Sequence, residues 1–238
     1  MEKTLAPFEG LEEEALLAEA VARYPGKIAL LSAFNPEDVI LAFWLTRLKV
    51  TIPILFLETQ KHFPETLRYV ERVTTQLGLK DVQWLKPDPA LLAKTDASGE
   101  LWKHHVNRCC WIRKVEPLNR ALAAGGYTAL ITGRRHEQTS DRVDMPNVGY
   151  DEEGRLKFNP LRNWNRAQRD AYMEAHGLPH HPLYGLGYPS IGCAPCTTPV
   201  YPGETERAGR WRHTRLGVVD GSGKTECGLH VADASTHE

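Results

Sequence analysis

Lys27-Ile-Ala-Leu-Leu-Ser32 followed by Ala33-Phe-Asn-Pro-Glu-Asp38 decides how the chain folds. The first six residues form a short apolar run of buried-strand type, and Pro36 sits where the first turn of a helix tolerates it. Glu37 to Leu48 then carries apolar residues at helical spacing. The alternation recurs. Ile52-Pro-Ile-Leu-Phe-Leu57 is a second strand candidate, with a helix expected over about 64–77. Val82 to Lys86 reads as a third strand, Ile112 to Ala124 as a helix despite Pro117, and Tyr127-Thr-Ala-Leu-Ile-Thr132 as a fourth strand. Helices separating short apolar strands predict an α/β fold with a mainly parallel sheet covered on both faces. Such sheets bind ligands at the carboxyl ends of their strands. Those ends run here into the loop 32–38, into Glu58-Thr59, into Pro87-Asp88 and into Gly133-Arg134-Arg135-His136.

Upstream, Leu11 to Tyr24 has the pattern of an acidic amphipathic helix closed by Pro25-Gly26. Leu11, Ala15, Ala18 and Ala22 lie near one stripe, widened by Leu16 and Leu17. Beyond Gly154 a short strand around Leu156-Lys-Phe158 and a helix near Asn165 to His176 precede a Gly/Pro-rich stretch with few regular elements. The expected organisation is an N-terminal helix over 1–26, one α/β domain over 27–215 and an irregular C-terminal tail over 216–238.

Composition narrows the functional classes. The 238 residues hold 29 Lys+Arg against 30 Asp+Glu and are 42% hydrophobic, an ordinary globular balance. Near-neutral charge argues against a protein that coats nucleic acid. No apolar run approaches the roughly 20 residues needed to span a bilayer, and Met1-Glu2-Lys3-Thr4 does not begin a signal-peptide core. The expectation is a cytoplasmic protein with neither membrane nor nucleic-acid partner; assembly as a homo-oligomer is compatible with it.

Cysteine is the informative residue. Cys109, Cys110, Cys193, Cys196 and Cys227 make an odd number, which argues for metal binding or thiol chemistry over a disulfide framework. Cys193-Ala-Pro-Cys196 alone serves zinc sites, redox dithiols and iron–sulfur clusters alike. The vicinal pair Cys109-Cys110 favours a cluster, because neighbouring side chains diverge and chelate one tetrahedral ion poorly. A four-iron cubane offers separate irons to separate thiolates. The surroundings are basic: from Leu101 to Arg142 eight Lys/Arg face three Asp/Glu, with three histidines. Convergent cations there suit phosphate or sulfate oxygens.

Cys227 stands apart, in Gly221-Ser-Gly-Lys-Thr-Glu-Cys-Gly-Leu-His230. An exposed thiol of ordinary pKa near 8.5 is only about 3% ionised at pH 7; Lys224, His230 or a basic pocket would raise that fraction. The run Gly-Ser-Gly-Lys-Thr is not a Walker A loop, since position 218 is valine. His136-Glu137 is not a zincin motif, since position 140 is serine.

Taken together, Cys109-Cys110-Trp-Ile-Arg-Lys-Val-Glu-Pro-Leu118, Thr132-Gly-Arg-Arg135, Ile191-Gly-Cys-Ala-Pro-Cys-Thr-Thr-Pro-Val200, Gly209-Arg-Trp211 and Glu226-Cys-Gly-Leu-His230 resemble the assimilatory sulfonucleotide reductases, specifically the iron–sulfur adenylyl-sulfate (APS) reductases. The resemblance covers nearly the whole chain after residue 26. It implies the adenine-nucleotide-binding fold shared with PP-loop ATP pyrophosphatases and a 4Fe-4S cluster on Cys109, Cys110, Cys193 and Cys196, structural and electrostatic in role. Cys227 would be the nucleophile, with Lys114 and His230 assisting. The substrate contacts would be Ser32, Asp38, Thr59, Arg135, Arg207 and Arg210. APS would be the substrate, and thioredoxin or glutaredoxin the reductant.

One motif departs from the family. The first loop is normally glycine-rich, but Ser32-Ala-Phe-Asn-Pro-Glu-Asp38 has no glycine, and Glu58-Thr-Gln60 replaces the common D-T-G. Asn35 is the residue expected to take a left-handed conformation there, with the helix start after Pro36 presenting N–H groups to an anion. The departure keeps a 3′-phospho-APS (PAPS) reductase or dual-specificity enzyme as the near alternative. A PP-loop tRNA-thiolating enzyme and a metal-stabilised binding module are more distant ones.

Overall fold

The computed structural model describes residues 5–139, 142–215 and 229, so Cys227 and His230 lie outside the described residues. Six strands form one mostly parallel sheet: β1 (Ile28–Ser32), β2 (Ile54–Leu57), β3 (Val82–Leu85), β4 (Ala129–Thr132), β5 (Val148–Tyr150) and β6 (Leu156–Phe158), in the order β3-β2-β1-β4-β6-β5. Leu30 pairs with Ile54 on one side of β1 and Ile28 with Ala129 on the other, both parallel. β6 runs parallel to β4, and β5 closes the edge antiparallel to β6. The short β5, with Gly149 and exposed Tyr150, carries no apolar run that would announce it.

The helices are α1 (Glu13–Arg23), α2 (Pro36–Arg47), α3 (Pro64–Leu77), α4 (Pro89–Thr95), α5 (Val106–Cys110), α6 (Glu116–Gly125), α7 (Arg166–Ala175) and the short α8 (Arg212–Arg215). α1 buries Leu16, Leu17, Ala20 and Val21, while Ala15 and Ala22 are exposed. The expected alanine stripe is thus rotated, because the larger leucine and valine side chains gain more from burial. α4, capped by the Asp88 carboxylate accepting the Leu91 N–H at 2.8 Å and opened by Pro89, has a start signal but only one short apolar pair to carry a helical period. α7 begins at a reciprocal cap in which Asn165 and Gln168 exchange side-chain-to-backbone bonds.

The chain packs as two compact units. The first gathers the described residues up to Phe56 with Tyr69–Gln83 and Gly125–His181; the second gathers Leu57–Arg68, Trp84–Ala124 and the described residues from Pro182 onward. Both are built from separated segments, a division that linear reading of the chain does not reveal. Among the described residues no helix is long and apolar enough to cross a membrane.

In the first unit β1 is buried at every position and α2 is buried on almost all faces. The start of α2 brings Glu37 under the sheet end with two guanidinium groups. Arg135 Nε donates to Glu37 Oε1 at 2.7 Å and Arg169 Nη1 donates to the same oxygen at 3.0 Å, all three side chains being almost wholly buried. Burial alone would raise the Glu37 pKa, but Arg169 and Arg135 hold it below the usual carboxylate range. Replacing Glu37 by Gln leaves both guanidiniums buried with one carboxylate fewer. We expect about 3 kcal/mol of destabilisation, read as a lower denaturant midpoint in urea unfolding; an unchanged midpoint would show the network to be energetically neutral.

Candidate functional site

In the first unit the predicted residues Ser32, Asp38 and Arg135 all lie at the strand ends. The loop between β1 and α2 is held from within. The backbone N–H of Ala33 donates to Asp38 Oδ2 at 2.8 Å, that of Asn35 to the same oxygen at 3.2 Å, and that of Phe34 to Ser32 Oγ at 3.0 Å. The left-handed residue is Phe34, with φ 55°, and not Asn35, whose φ is −68° and ψ 165°. The reason is Pro36: its ring confines the preceding residue to extended conformations. Phe34 is held in that unusual conformation with its ring buried edge-on against Phe56, centroids 5.7 Å apart. Gly133, after β4, is required by the same loop, since a Cβ there would sit 2.4 Å from Asp38 Oδ1.

Asp38 and its neighbour Glu37 have opposite electrostatics. Burial pushes the Asp38 carboxyl up to about 7; the Ala33 amide opposes this, the charge of Glu37 adds to it, and the Asn35 amide and Arg142 oppose it. Arg135 is fully buried, bonded to Glu37 and, at 3.0 Å, to Glu137. The structure therefore gives it a bracing position behind the loop, with Arg134 beside it reaching Thr132 Oγ1 at 3.1 Å.

The second unit holds Thr59, Lys114, Arg207, Arg210 and the four grouped cysteines. Cys109, Cys110, Cys193 and Cys196 line one cavity with Trp102, Val106 and Trp211. All four are free thiols, three buried and Cys193 half-buried. The helix expected over Ile112 to Ala124 is corrected in detail: a short α5 precedes it and ends at Cys110, and a π-helical turn over Trp111–Val115 joins α5 to α6. The Glu116 N–H there donates to the Trp111 carbonyl five residues back, and Pro117, having no N–H, makes no regular bond to Arg113. The wider turn tucks Arg113 and Lys114 inward, 4% and 8% exposed. Arg113 pairs with buried Asp96 at 2.5 Å and donates to the Thr59 carbonyl at 2.8 Å. Thr59 Oγ1 lies 3.3 Å from Cys193 Sγ.

The Cys193–Cys196 loop is fastened on both sides. Ala194 N–H donates to the Lys61 carbonyl at 2.7 Å, and Trp211 N–H to the Cys196 carbonyl at 2.9 Å. Trp211 is buried with three cations over its ring: Arg210 at 4.6 Å, Arg207 and Lys114 each at 5.8 Å. Gly192 makes this possible, because a Cβ at that position would meet the Arg210 guanidinium at 2.1 Å. Burial, with Cys110 and Cys193 beside it, raises the Cys109 thiol to about 12, and burial raises Cys196 further. Among the described residues no three His, Cys, Asp or Glu side chains converge into a set that could hold a metal ion. The four thiols surround a cavity without closing on one point. Asp96, Arg113 and Trp211 were missed as site residues in the sequence; only the placement of Arg113 and Trp211 within the quoted motifs offered a signal.

Residues 27–199 match the phosphoadenosine phosphosulfate reductase domain. This chain belongs to that family. Among its relatives, the adenosine 5′-phosphosulfate reductase of Mesorhizobium japonicum is 39% identical over 231 residues, covering 96% of this chain and 84% of the relative. The phosphoadenosine 5′-phosphosulfate reductase of Gloeobacter violaceus is 42% identical, covering 97% and 93%. In three dimensions the chain is similar to the phosphate complex of phosphoadenylyl-sulfate reductase from Candida auris, with TM-score 0.70, 29% identity and coverage of 82% and 93%. FMN adenylyltransferase of Candida glabrata, at 16% identity, TM-score 0.57 and coverage of 80% and 63%, shares the fold. The PP-loop-like α/β architecture expected from the resemblance to the sulfonucleotide reductases is thereby borne out, and the tRNA-thiolating and binding-module readings give way to the family.

The raised Asp38 pKa has a definite linkage sign. A carboxyl whose folded pKa exceeds its unfolded one stabilises the fold fully below the unfolded value, and loses that contribution as pH rises through the folded value. Relative to Asp38→Asn, the native protein should lose on the order of 2–4 kcal/mol between about pH 4 and pH 7. Urea unfolding of both proteins across that range checks this; parallel stability profiles would contradict it.

Proposed function

We propose that this chain reduces adenosine 5′-phosphosulfate to sulfite and AMP in assimilatory sulfate reduction, through an S-sulfonated Cys227. The reading rests on the curated relatives bearing that name and on one observation above all: four thiols around one cavity whose wall also carries Lys61, Arg113, Lys114 and Arg210.

The donor set fits a 4Fe-4S cluster on Cys109, Cys110, Cys193 and Cys196. Thiols disposed around a cavity suit separate irons better than one tetrahedral ion. As bare groups they are held protonated by burial, so a cationic occupant is what would make thiolates of them. When bound, the cluster supplies structure and local charge to the substrate site. The protein's own residues do the rest. Arg113, tied to Asp96 and to the Thr59 carbonyl, fixes the segment that presents Thr59 and Cys193. Lys114, Arg207 and Arg210, stacked about Trp211, supply cations for the phosphosulfate oxygens, offsetting repulsion of an incoming thiolate and stabilising charge that moves onto AMP.

In the first step the Cys227 thiolate attacks the sulfate sulfur, a sulfur–sulfur bond forms, the bond from sulfur to the bridging oxygen breaks, and AMP leaves with that electron pair. His230, three residues on in the sequence, is the group proposed to assist the nucleophile. A dithiol protein of the thioredoxin or glutaredoxin class then attacks Cys227 Sγ, releasing sulfite, and its second thiol resolves the mixed disulfide. Cys227 belongs in this reading to the tail 216–238, and the cytoplasm is the compartment that keeps these thiols reduced.

The Gloeobacter violaceus relative favours a second reading, reduction of 3′-phospho-APS. Sulfite release from the two nucleotides at equal concentration separates them, and faster release from 3′-phospho-APS would reverse our preference. Cys227→Ser should abolish sulfite formation while the iron content and the visible absorption of the anaerobically purified protein stay as in the wild type. Mass spectrometry after brief exposure to APS should find a sulfonate-sized adduct on the C-terminal peptide; an adduct elsewhere, or none, would refute the mechanism. Cys193→Ser should lose both iron and most activity, and a colourless, fully active variant would refute the cluster.

A further inference from the structure

Trp211 is held in a backbone conformation that bulky side chains rarely adopt. Its φ is 48°, in the left-handed region, and its ring is almost wholly buried. The surroundings fix it there. Its N–H donates to the Cys196 carbonyl at 2.9 Å, Arg210 before it bridges to Thr197, and a Cβ on Gly209 would overlap the Thr198 carbonyl. The indole so placed meets cations from two parts of the chain: Lys114, carried in by the π-helical turn, and Arg207 and Arg210 from the segment leading to Trp211 itself. Arg210, the nearest at 4.6 Å, also donates to Ser190 Oγ at 3.4 Å and to the Ile191 carbonyl at 3.3 Å. Those two acceptors are neutral, so they orient the guanidinium without cancelling its charge.

We infer that Trp211 is a positioning residue: its indole sets Lys114, Arg207 and Arg210 in place for the anionic group on a nucleotide's 5′-oxygen, and its strained backbone is what aims the ring at all three. The inference deepens the proposed function and rests on its assignment of those cations to the phosphosulfate. Three like charges brought to one place repel one another, and in solvent they would spread apart. The negative face of an indole attracts each of them. A carboxylate would attract them more strongly, but it would also cancel the charge that an anionic ligand needs. Arg113 shows the contrast on the same turn as Lys114: paired with Asp96 and bonded to the Thr59 carbonyl, it braces the segment. Cations already in position spare the ligand the cost of ordering them, so the strain at Trp211 is returned as affinity for the anion.

Trp211→Leu keeps a large apolar side chain and removes the aromatic face. AMP and adenosine are titrated calorimetrically into the full-length, anaerobically purified wild type and variant, with iron content measured alongside. Adenosine reports the rest of the nucleotide site, so the AMP-to-adenosine affinity ratio isolates what the cations contribute to holding the 5′-anion. The ratio should fall about tenfold in Trp211→Leu, with adenosine affinity and iron content as in the wild type. Trp211→Phe, which keeps a ring with a weaker hold on cations, should lose about threefold; it decides alone if the leucine variant fails to fold. An unchanged ratio overturns the inference, and so does an equal loss of both ligands, with or without iron, which would mark Trp211 as a packing residue only. The functional reading survives either result. A wild type that binds AMP no better than adenosine removes the assignment of the cations, and the functional reading then falls together with this inference.

Discussion

Two adjacent carboxylates at the first turn of α2 meet the same problem, burial of negative charge, in different ways. Glu37 shares one oxygen between Arg135 and Arg169 and stays ionised. Asp38 has backbone amides as its donors, and burial drives its pKa towards neutrality. Everything at the strand ends of the first unit follows from this pair. Phe34 is turned left-handed because the amides on either side of it point at one oxygen, Gly133 must lack a side chain because the other oxygen is there, and Arg135 is drawn inward to Glu37. A buried charge is tolerated only when its donors are fixed in place, so this loop is defined by what it holds.

The second unit uses the opposite sign. The π-helical turn after Cys110 carries Arg113 and Lys114 into the interior, and the chain around Gly209-Arg-Trp211 adds Arg210 and Arg207 over the indole of Trp211. Burial holds the neighbouring thiols protonated in spite of these cations, of which Lys114 works against the rise at Cys196 and Arg113 against that at Cys109. The proposed function asks the same of this arrangement twice over: a sulfonucleotide and an anionic cluster would make one electrostatic demand, which the side chains around Trp211 are suited to meet.

Much of the fold was legible because apolar runs of strand length alternate with helix-length amphipathic segments. β1, α3 and β6 appear close to where the spacing puts them. The elements that were not legible, β5 and α4, are too short or too polar to carry a period, and they depend on neighbours already in place. The four grouped cysteines could be read from type and spacing, since thiols in vicinal and C-x-x-C pairs have few other uses. The roles of individual basic residues were harder. A charge run reads alike whether its arginines face a substrate, as proposed for Arg210, or brace a loop from behind, as Arg135 does through Glu37.

The sequence by itself determined the α/β class, the cysteine quartet and the conformational limit at Asn35, since the Pro36 ring acts on its neighbour whatever the rest of the chain does. Tertiary structure alone decided that Phe34 takes the left-handed turn, that the loop amides are filled by Asp38, and that Glu37 binds two arginines almost a hundred residues or more away in the chain. Those outcomes depend on desolvation and on partners brought together from separated segments. Local spacing carries neither quantity.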